Sequence, residues 1–109
     1  KEKDFFEGPC GVPGVQTMLP LLLNAVHQGK LTLFDVVRLC CTNPASIFSI
    51  EKRGVLKEGN YADICVVDLE KEGPILNEKQ HSRCGWTPFR GLNVKGWPVM
   101  TLVNGNIVY

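Results

Sequence analysis

The stretch GVLKEGNYADICVVDLE, residues 54–70, decides the fold class, because its apolar residues are spaced differently from those before it. It predicts a short apolar strand, a turn at Glu58, Gly59 and Asn60, and a second strand over residues 62–69. The uninterrupted apolar run at residues 64–67 is typical of a strand that is buried on both faces. The chain therefore changes from helical to extended structure near Gly54.

Upstream of this change, the sequence predicts a loop that leads into an apolar helix. Residues 1–16 are rich in Gly and Pro, which resist regular structure. Thr17 is the predicted N-cap, Pro20 then falls in the first turn, and Gly29 ends the helix. Residues 18–26 are apolar almost all round, so this helix needs cover on more than one side.

A second helix is predicted to begin at Thr32, where Asp35 completes a pattern that resembles a capping box. Asn43 and Pro44 predict the end of this helix and the start of a short third one, with Asn43 as its cap and Pro44 at its first position. The region before Gly54 is thus expected to be a compact helical segment.

Downstream, the sequence predicts an irregular region and then a hairpin. Residues 71–93 contain several Gly and Pro residues and are expected to lack regular structure. Residues 99–103 and 106–109 flank Asn104 and Gly105, the strongest short-range signal for a β-hairpin. Helices followed by strands predict an α+β chain, and so few strands make only part of a sheet with open edges.

Charge and hydropathy exclude several classes of partner. The 109 residues carry a formal net charge of +1, which gives no electrostatic basis for binding nucleic acid or an anionic membrane. No apolar run approaches the roughly 20 residues that a transmembrane helix needs. We therefore expect neither a nucleic acid nor a membrane as partner.

The cysteines predict a reducing compartment. Their number is odd and their spacing irregular, which argues against a disulfide framework (Cys10, Cys40, Cys41, Cys65 and Cys84). Cys40, Cys41 and Cys65 lie within apolar runs and are expected to be small buried hydrophobic residues.

A metal site formed by this chain alone is not expected. The only histidines, His27 and His81, are far apart in sequence and no metal-binding motif is present. His27 near a helix C-terminus is interpreted as a partner of the helix dipole. Asp63 and Asp68 flank the strand core and are interpreted as turn and strand-end residues rather than as a catalytic pair.

Four segments of the sequence carry recognisable motifs: GVPGVQTMLPLLL (residues 11–23), GKLTLFDVVRLCCTNPASIFSI (residues 29–50), RGVLKEGNYADICVVDLE (residues 53–70) and GWTPFRGLNVKGWPVMTLVNGNIVY (residues 85–109). The first resembles the segment G-x-P-G-x-E-T-x-L-P-L-L of the dihydroorotases, except that Gln16 stands where that family commonly has Glu. The second and fourth are similar to two further dihydroorotase segments, and the third is similar to a motif of the wider cyclic amidohydrolase group.

The resemblance implies an α+β fragment: the last helices of a (β/α)8 amidohydrolase barrel, followed by strands of a small β-sandwich. Residues 1–53 would belong to the barrel and residues 54–109 to the sandwich. The implied enzyme is cytoplasmic and zinc-dependent, and reversibly cyclises N-carbamoyl-L-aspartate to L-dihydroorotate in pyrimidine biosynthesis. The family's metal ligands and catalytic Asp would precede Lys1, so this C-terminal piece is expected to be inactive alone.

The resemblance also implies a role for the loop at Pro9, Cys10 and Gly11. Its backbone would contact the dihydropyrimidine ring, since glycine permits close approach and amide groups can be matched by backbone N–H and C=O. The alternative is that Gly11 and Gly14 only shape a connection. No catalytic or metal-binding residue is predicted within the chain, and no cation or His lies near Cys10 in sequence to activate its thiol.

Two other functions remain open at this stage. Another cyclic amidohydrolase, of hydantoinase or allantoinase type, could share the scaffold. The chain could instead be a non-catalytic subunit that docks on a partner, which the apolar helix favours. We expect either self-association or docking to the missing N-terminal part, because neither the helices nor the strands are fully covered.

Overall fold

A computed structural model describes Gly8 and residues 11–109, which form a small α+β unit. Helices come first and strands follow, as the sequence predicts. The elements are α1 (Val15–His27), α2 (Leu33–Val37), a π-helical segment (Arg38–Thr42), α3 (Asn43–Ile47), β1 (Ile64–Pro74), a 3-10 turn (Asn77–Lys79), β2 (Asn93–Val103) and β3 (Asn106–Ile107). None of the helices in this described part is long and apolar enough to cross a membrane.

Helix α1 begins earlier than predicted. Gly14, not Thr17, is the N-cap, and the first turn closes through a hydrogen bond from the Met18 N–H to the Gly14 carbonyl (3.0 Å). Thr17 is buried inside the helix, and its hydroxyl donates back to the Gly14 carbonyl (3.2 Å). Pro20 therefore lies beyond the first turn, where it removes one intrahelical donor, and its ring is buried.

The prediction that Gly29 ends α1 is confirmed. Gly29 has a φ of +70°, in the left-handed region that glycine tolerates. Its N–H donates to the Val26 carbonyl (2.9 Å), and the Lys30 N–H donates to the Ala25 carbonyl (2.9 Å). This pair of bonds is a Schellman motif, which satisfies carbonyls that the helix end leaves free. His27 lies in the last turn, as expected of a dipole partner.

The predicted capping box at the start of α2 is confirmed. The Thr32 hydroxyl accepts from the Asp35 N–H (3.1 Å), and the Asp35 carboxylate accepts from the Thr32 N–H (3.0 Å). The Thr32 hydroxyl also donates to the Asp35 carboxylate (2.6 Å). This bond, followed by those from the Thr32 N–H and from Arg38 (3.2 Å), lowers the pKa of Asp35 to about 2. Two sequence positions three residues apart thus define this helix start.

The break predicted at Asn43 is wrong, although the predicted short third helix is present as α3, with Pro44 in its first turn. Asn43 has helical backbone angles (φ −64°, ψ −48°), and α2, the π-helical segment and α3 follow one another without interruption. A proline inside a helix lacks its N–H and collides with the carbonyl four residues earlier. The wider π-helical turn directly before Pro44 lets the helix pass this residue instead of ending there.

Strand β1 is longer than predicted, and the short strand before it is absent. Residues 55 and 56 have no strand structure, whereas the turn at Glu58, Gly59 and Asn60 is present. β1 runs through residues 71–74, which were expected to be irregular, because β2 pairs with it as far as Pro74.

The predicted hairpin is confirmed, although its first strand starts earlier. β2 begins at Asn93, and the three strands form an antiparallel sheet in the order β1-β2-β3. Asn104 (φ +49°) and Gly105 (φ +82°) occupy the two left-handed positions of a type I′ turn.

A bulge interrupts the pairing of β1 and β2 next to Asp68. Asp68 pairs with Trp97 and Glu72 with Lys95, so three residues of β1 lie opposite Gly96 alone. The Asp68 carboxylate accepts from the N–H groups of Glu70 (2.9 Å) and Lys71 (3.1 Å), which stabilises the bulge. Asp68 is therefore a mid-strand residue, not the strand-end residue expected.

The buried apolar residues lie between α1 and the strands. Leu23, Ile75 and Val94 are no more than 2% exposed, and Val36 lies further along the helical segment. By contrast, the prediction that residues 64–67 are buried on both faces is wrong: Ile64 and Val67 are half-buried, while Cys65 and Val66 are exposed. The described residues provide no second layer over this part of β1.

Candidate functional site

The glycine- and proline-rich loop before α1 is only partly described. Pro9 and Cys10 lie outside the described residues, so their predicted contact with substrate stays a prediction. Gly11 is exposed and has a φ of +66°, and a Cβ atom there would meet nothing within 4 Å. Glycine at this position therefore serves a left-handed turn rather than close packing.

Gln16, in the first turn of α1, is held by two hydrogen bonds. Its Nε2 donates to the Lys79 carbonyl (2.8 Å), and its Oε1 accepts from the His81 N–H (2.8 Å). Both partners are backbone groups of a segment more than 60 residues further along the chain. The amide thus joins the start of α1 to residues 79–81.

The C-terminal half of α1 is fixed to β2 by a second amide and a close approach. Asn24 Oδ1 accepts from the Lys95 N–H (3.1 Å). A Cβ atom on Gly96 would lie 2.5 Å from the Cβ of Leu23, so only glycine lets helix and strand approach this closely. The sequence analysis did not identify Gln16 or Asn24 as anchors; Asn24 could have been found as a polar residue in an otherwise apolar helix.

Residues 75–92 form the loop whose residues 79–81 receive the hydrogen bonds of Gln16. The loop closes where the Ile75 N–H donates to the Leu92 carbonyl (2.9 Å) and the Gly91 N–H donates to the Ile75 carbonyl (2.8 Å). Inside it, Asn77 Oδ1 accepts from the N–H of buried Thr87 (3.0 Å). The loop has no helix or strand apart from the 3-10 turn Asn77–Lys79, as predicted, and these hydrogen bonds hold it in place.

A cluster of charged and polar groups joins the hairpin turn to residues 53–63, the connection that leads into β1. Arg53 forms an ion pair with Asp63 and donates to Asn104 Oδ1 (3.0 Å), and its guanidinium lies 4.3 Å from the centre of the Tyr61 ring. The Asn104 N–H donates to Asp63 (2.7 Å). This bond, followed by the one from Arg53, lowers the pKa of Asp63. Asp63 is thus a structural turn residue, as the sequence indicates.

A groove of about 430 Å³ separates the helical segment from the start of β1. Three cysteines line it, together with apolar side chains and the Arg53–Asp63 pair (Val37, Cys40, Cys41, Pro44, Ala45, Ile50, Arg53, Gly54, Val55, Leu56, Tyr61, Asp63, Ile64 and Cys65). Cys40 is half-buried, while Cys41 and Cys65 are exposed, so the prediction that all three are buried is wrong. Partial burial, then the neighbouring thiols, raises the pKa of Cys41, which disfavours a reactive thiolate.

Gly8 and residues 11–109 do not bring together a metal-binding group. Among them, no cluster of three or more His, Cys, Asp or Glu side chains could hold a metal ion. His27 lies in the last turn of α1, and His81 contributes its backbone N–H to Gln16. The candidate site is therefore the exposed backbone of the loop before α1, a helix that the side chains of Gln16 and Asn24 hold in place.

Comparison with known proteins identifies relatives along almost the whole chain. The model of the amidohydrolase family matches residues 10–108. Dihydroorotase from Halobacterium salinarum is 43% identical over 109 residues, which cover 100% of this chain and 26% of that protein. Dihydroorotase from Pyrococcus furiosus is 42% identical over 101 residues, which cover 93% of this chain and 24% of that protein.

Solved structures agree in fold. L-hydantoinase (dihydropyrimidinase) from Arthrobacter aurescens superimposes with a TM-score of 0.89 at 33% identity, over 96% of this chain and 24% of that one. D-hydantoinase from Thermus sp. gives a TM-score of 0.88 at 28% identity, over 94% of this chain and 23% of that one. The chain thus spans about a quarter of the length of the relatives it matches.

Proposed function

The chain belongs to the amidohydrolase family, and from this we propose that it is the C-terminal portion of a dihydroorotase. The intact enzyme would reversibly cyclise N-carbamoyl-L-aspartate to L-dihydroorotate in de novo pyrimidine biosynthesis. We place it in the cytoplasm. In this proposal the chain contributes scaffold and a wall of the substrate pocket, and it supplies no reacting group.

One observation carries the choice of reaction. Curated relatives from archaea and bacteria that match this chain over nearly its whole length are dihydroorotases, for example at 41% identity in Methanosphaera stadtmanae and 42% in Endomicrobium trichonymphae. The multifunctional protein pyr1-3 of Dictyostelium discoideum is 40% identical over 100% of this chain. The identity to dihydroorotases exceeds the 28–33% found for the solved hydantoinases.

The geometry of α1 supports a role for the loop that precedes it. In the proposal, the backbone at Pro9, Cys10 and Gly11 contacts the dihydropyrimidine ring. Such a contact requires the loop to be held in place, since a backbone contact is useful only at hydrogen-bond distance. The bonds of Gln16 and Asn24 to the segments behind α1 support this requirement.

The metal would be held elsewhere. Enzymes of this family generally bind metal, and we propose Zn²⁺ for the parent. The described residues do not fit a metal ion, because no group of His, Cys, Asp or Glu side chains among them could hold one. The ligands would therefore have to come from outside Gly8 and residues 11–109. The 109-residue chain alone should be inactive.

A partner surface is also part of the proposal. Large apolar side chains are exposed on the helical segment, on the connection to β1 and on the sheet, including Phe34 (88%), Leu56 (82%) and Ile107 (66%). Exposed apolar area of this extent marks interaction surfaces. We propose that the rest of the polypeptide covers it in the intact enzyme, and that the isolated chain self-associates.

A hydantoinase or dihydropyrimidinase is the second candidate, favoured by the TM-score of 0.89 to the enzyme from Arthrobacter aurescens. Dihydroorotate differs from dihydrouracil by one carboxylate, so the two substrates separate the candidates. We expect the intact polypeptide to prefer dihydroorotate in kcat/KM by at least about 100-fold, because a site built for a charged group rejects the analogue that lacks it. A preference for dihydrouracil or hydantoin would support the second candidate and contradict the first.

A further inference from the structure

We infer that Gln16 is a positioning residue, which holds the substrate-facing loop in place by clamping the start of α1 to residues 79–81. The inference rests on the proposed function in one respect: it takes the loop before α1 as a wall of the substrate pocket. The clamp itself rests on geometry alone. Gln16 would thus govern substrate affinity although it is not one of the residues predicted to contact the substrate.

The two bonds of Gln16 match a strand-like segment. The Lys79 carbonyl and the His81 N–H lie two residues apart, and the intervening Gln80 is extended (φ −82°, ψ 128°). The side-chain amide meets one acceptor and one donor, each at 2.8 Å, as a neighbouring strand would. Two bonds from one planar group fix both its position and its orientation.

Glutamine is chemically suited to this arrangement, and glutamate is not. An ionised carboxylate only accepts hydrogen bonds, so it could pair with the His81 N–H but would turn an oxygen toward the Lys79 carbonyl. Only the protonated acid regains a donor. Gln16 stands where the related segment of dihydroorotases commonly has Glu, so the clamp is a consequence of this chain's own residue.

The segment that receives the clamp is itself well anchored. Gln80 Nε2 donates to the Leu76 carbonyl (3.0 Å), and Ile75, at the base of the loop, is only 1% exposed. The clamp therefore ties α1 to a fixed support rather than to a free loop.

The clamp acts only on the end of α1 that follows the substrate-facing loop. The N-cap Gly14 offers no side-chain bond, whereas Asn24 holds the opposite half of the helix. Loss of Gln16 would loosen the first turn of α1 and residues 11–14, while the packing of buried Thr17 and Leu23 stays. This predicts a defect in substrate affinity rather than unfolding.

The test compares Gln16→Ala, Gln16→Glu and the control Gln28→Ala in the intact polypeptide. Gln28 is the same residue type at the opposite end of α1, it is exposed, and its side chain makes no hydrogen bond among the described residues, so its loss should leave KM unchanged. For Gln16→Ala we expect KM for dihydroorotate to rise about tenfold with kcat within twofold, which corresponds to ~1.4 kcal/mol of uniform binding. For Gln16→Glu we expect the KM ratio to wild type to rise with pH, as the carboxyl loses its proton.

Amide hydrogen exchange provides a readout that does not depend on activity. In Gln16→Ala, exchange at the His81 N–H and at the Met18 N–H, which closes the first turn of α1, should become about tenfold faster, while exchange in β2 is unchanged. Unchanged exchange at these sites, a KM within twofold of wild type, or a Gln16→Glu ratio independent of pH would each overturn the clamp. If wild type itself fails to process dihydroorotate, the proposed function fails, and hydrogen exchange still decides the clamp.

Discussion

Replacing Gly96 with alanine is expected to lower the free energy of unfolding by about 3 kcal/mol or more. Gly96 has a φ of +101°, which an L-residue rarely adopts, and its added Cβ would lie 2.5 Å from the Cβ of Leu23. Both atoms belong to rigid parts of the chain, so relief requires α1 and β2 to move apart. Leu23 would then lose part of its packing in the core.

Gly91→Ala is the control for this variant. Gly91 has a φ of +81° but no atom within 4 Å of its Cβ position, so alanine there carries only the backbone cost, about 1 kcal/mol. Urea denaturation of the intact polypeptide gives both free energies of unfolding. Equal losses in the two variants would show that α1 does not approach β2 as closely as described.

Gly54→Ala is the second variant that is expected to lower the free energy of unfolding strongly, again by about 3 kcal/mol. At Gly54 (φ +86°) a Cβ atom would lie 2.5 Å from the Ala45 Cβ and 2.9 Å from the Cys41 carbonyl oxygen. The helical segment and the chain entering β1 meet here. The substitution would force them apart and open the groove that the three cysteines line.

Gly59→Ala is matched to it, because Gly59 has the same φ of +86° and open space at its Cβ position. It should lose only about 1 kcal/mol. Adding Ala45→Gly to Gly54→Ala should recover part of the loss, since one of the two close contacts disappears while that with the Cys41 carbonyl remains. The absence of any recovery in a urea denaturation series would contradict the described contact.

Local chemistry predicted much of the fold. The capping box at Thr32, the helix end at Gly29 and the turn at Asn104 and Gly105 are all present, because each is fixed by residues that are near neighbours in sequence. The predicted start of α1 and the predicted break before Pro44 were wrong, because a proline can begin a helix or lie within one. Choosing between them needs the surrounding packing.

Features that depend on distant residues could not be predicted. Asn24 and Gln16 find their partners 71 and 63–65 residues away, which no local pattern encodes. The burial expected for residues 64–67 failed for the same kind of reason. A strand is buried on both faces only if other layers are present, and the described residues supply no second layer there.

The central claim is that this chain contributes scaffold and a pocket wall to a cyclic amidohydrolase but no reacting group. The most direct measurement is an assay of the purified 109-residue chain with Zn²⁺ and L-dihydroorotate, beside the intact polypeptide at equal concentration. The account predicts turnover by the intact polypeptide and none above the uncatalysed rate by the 109-residue chain. Turnover by the pure 109-residue chain would contradict it.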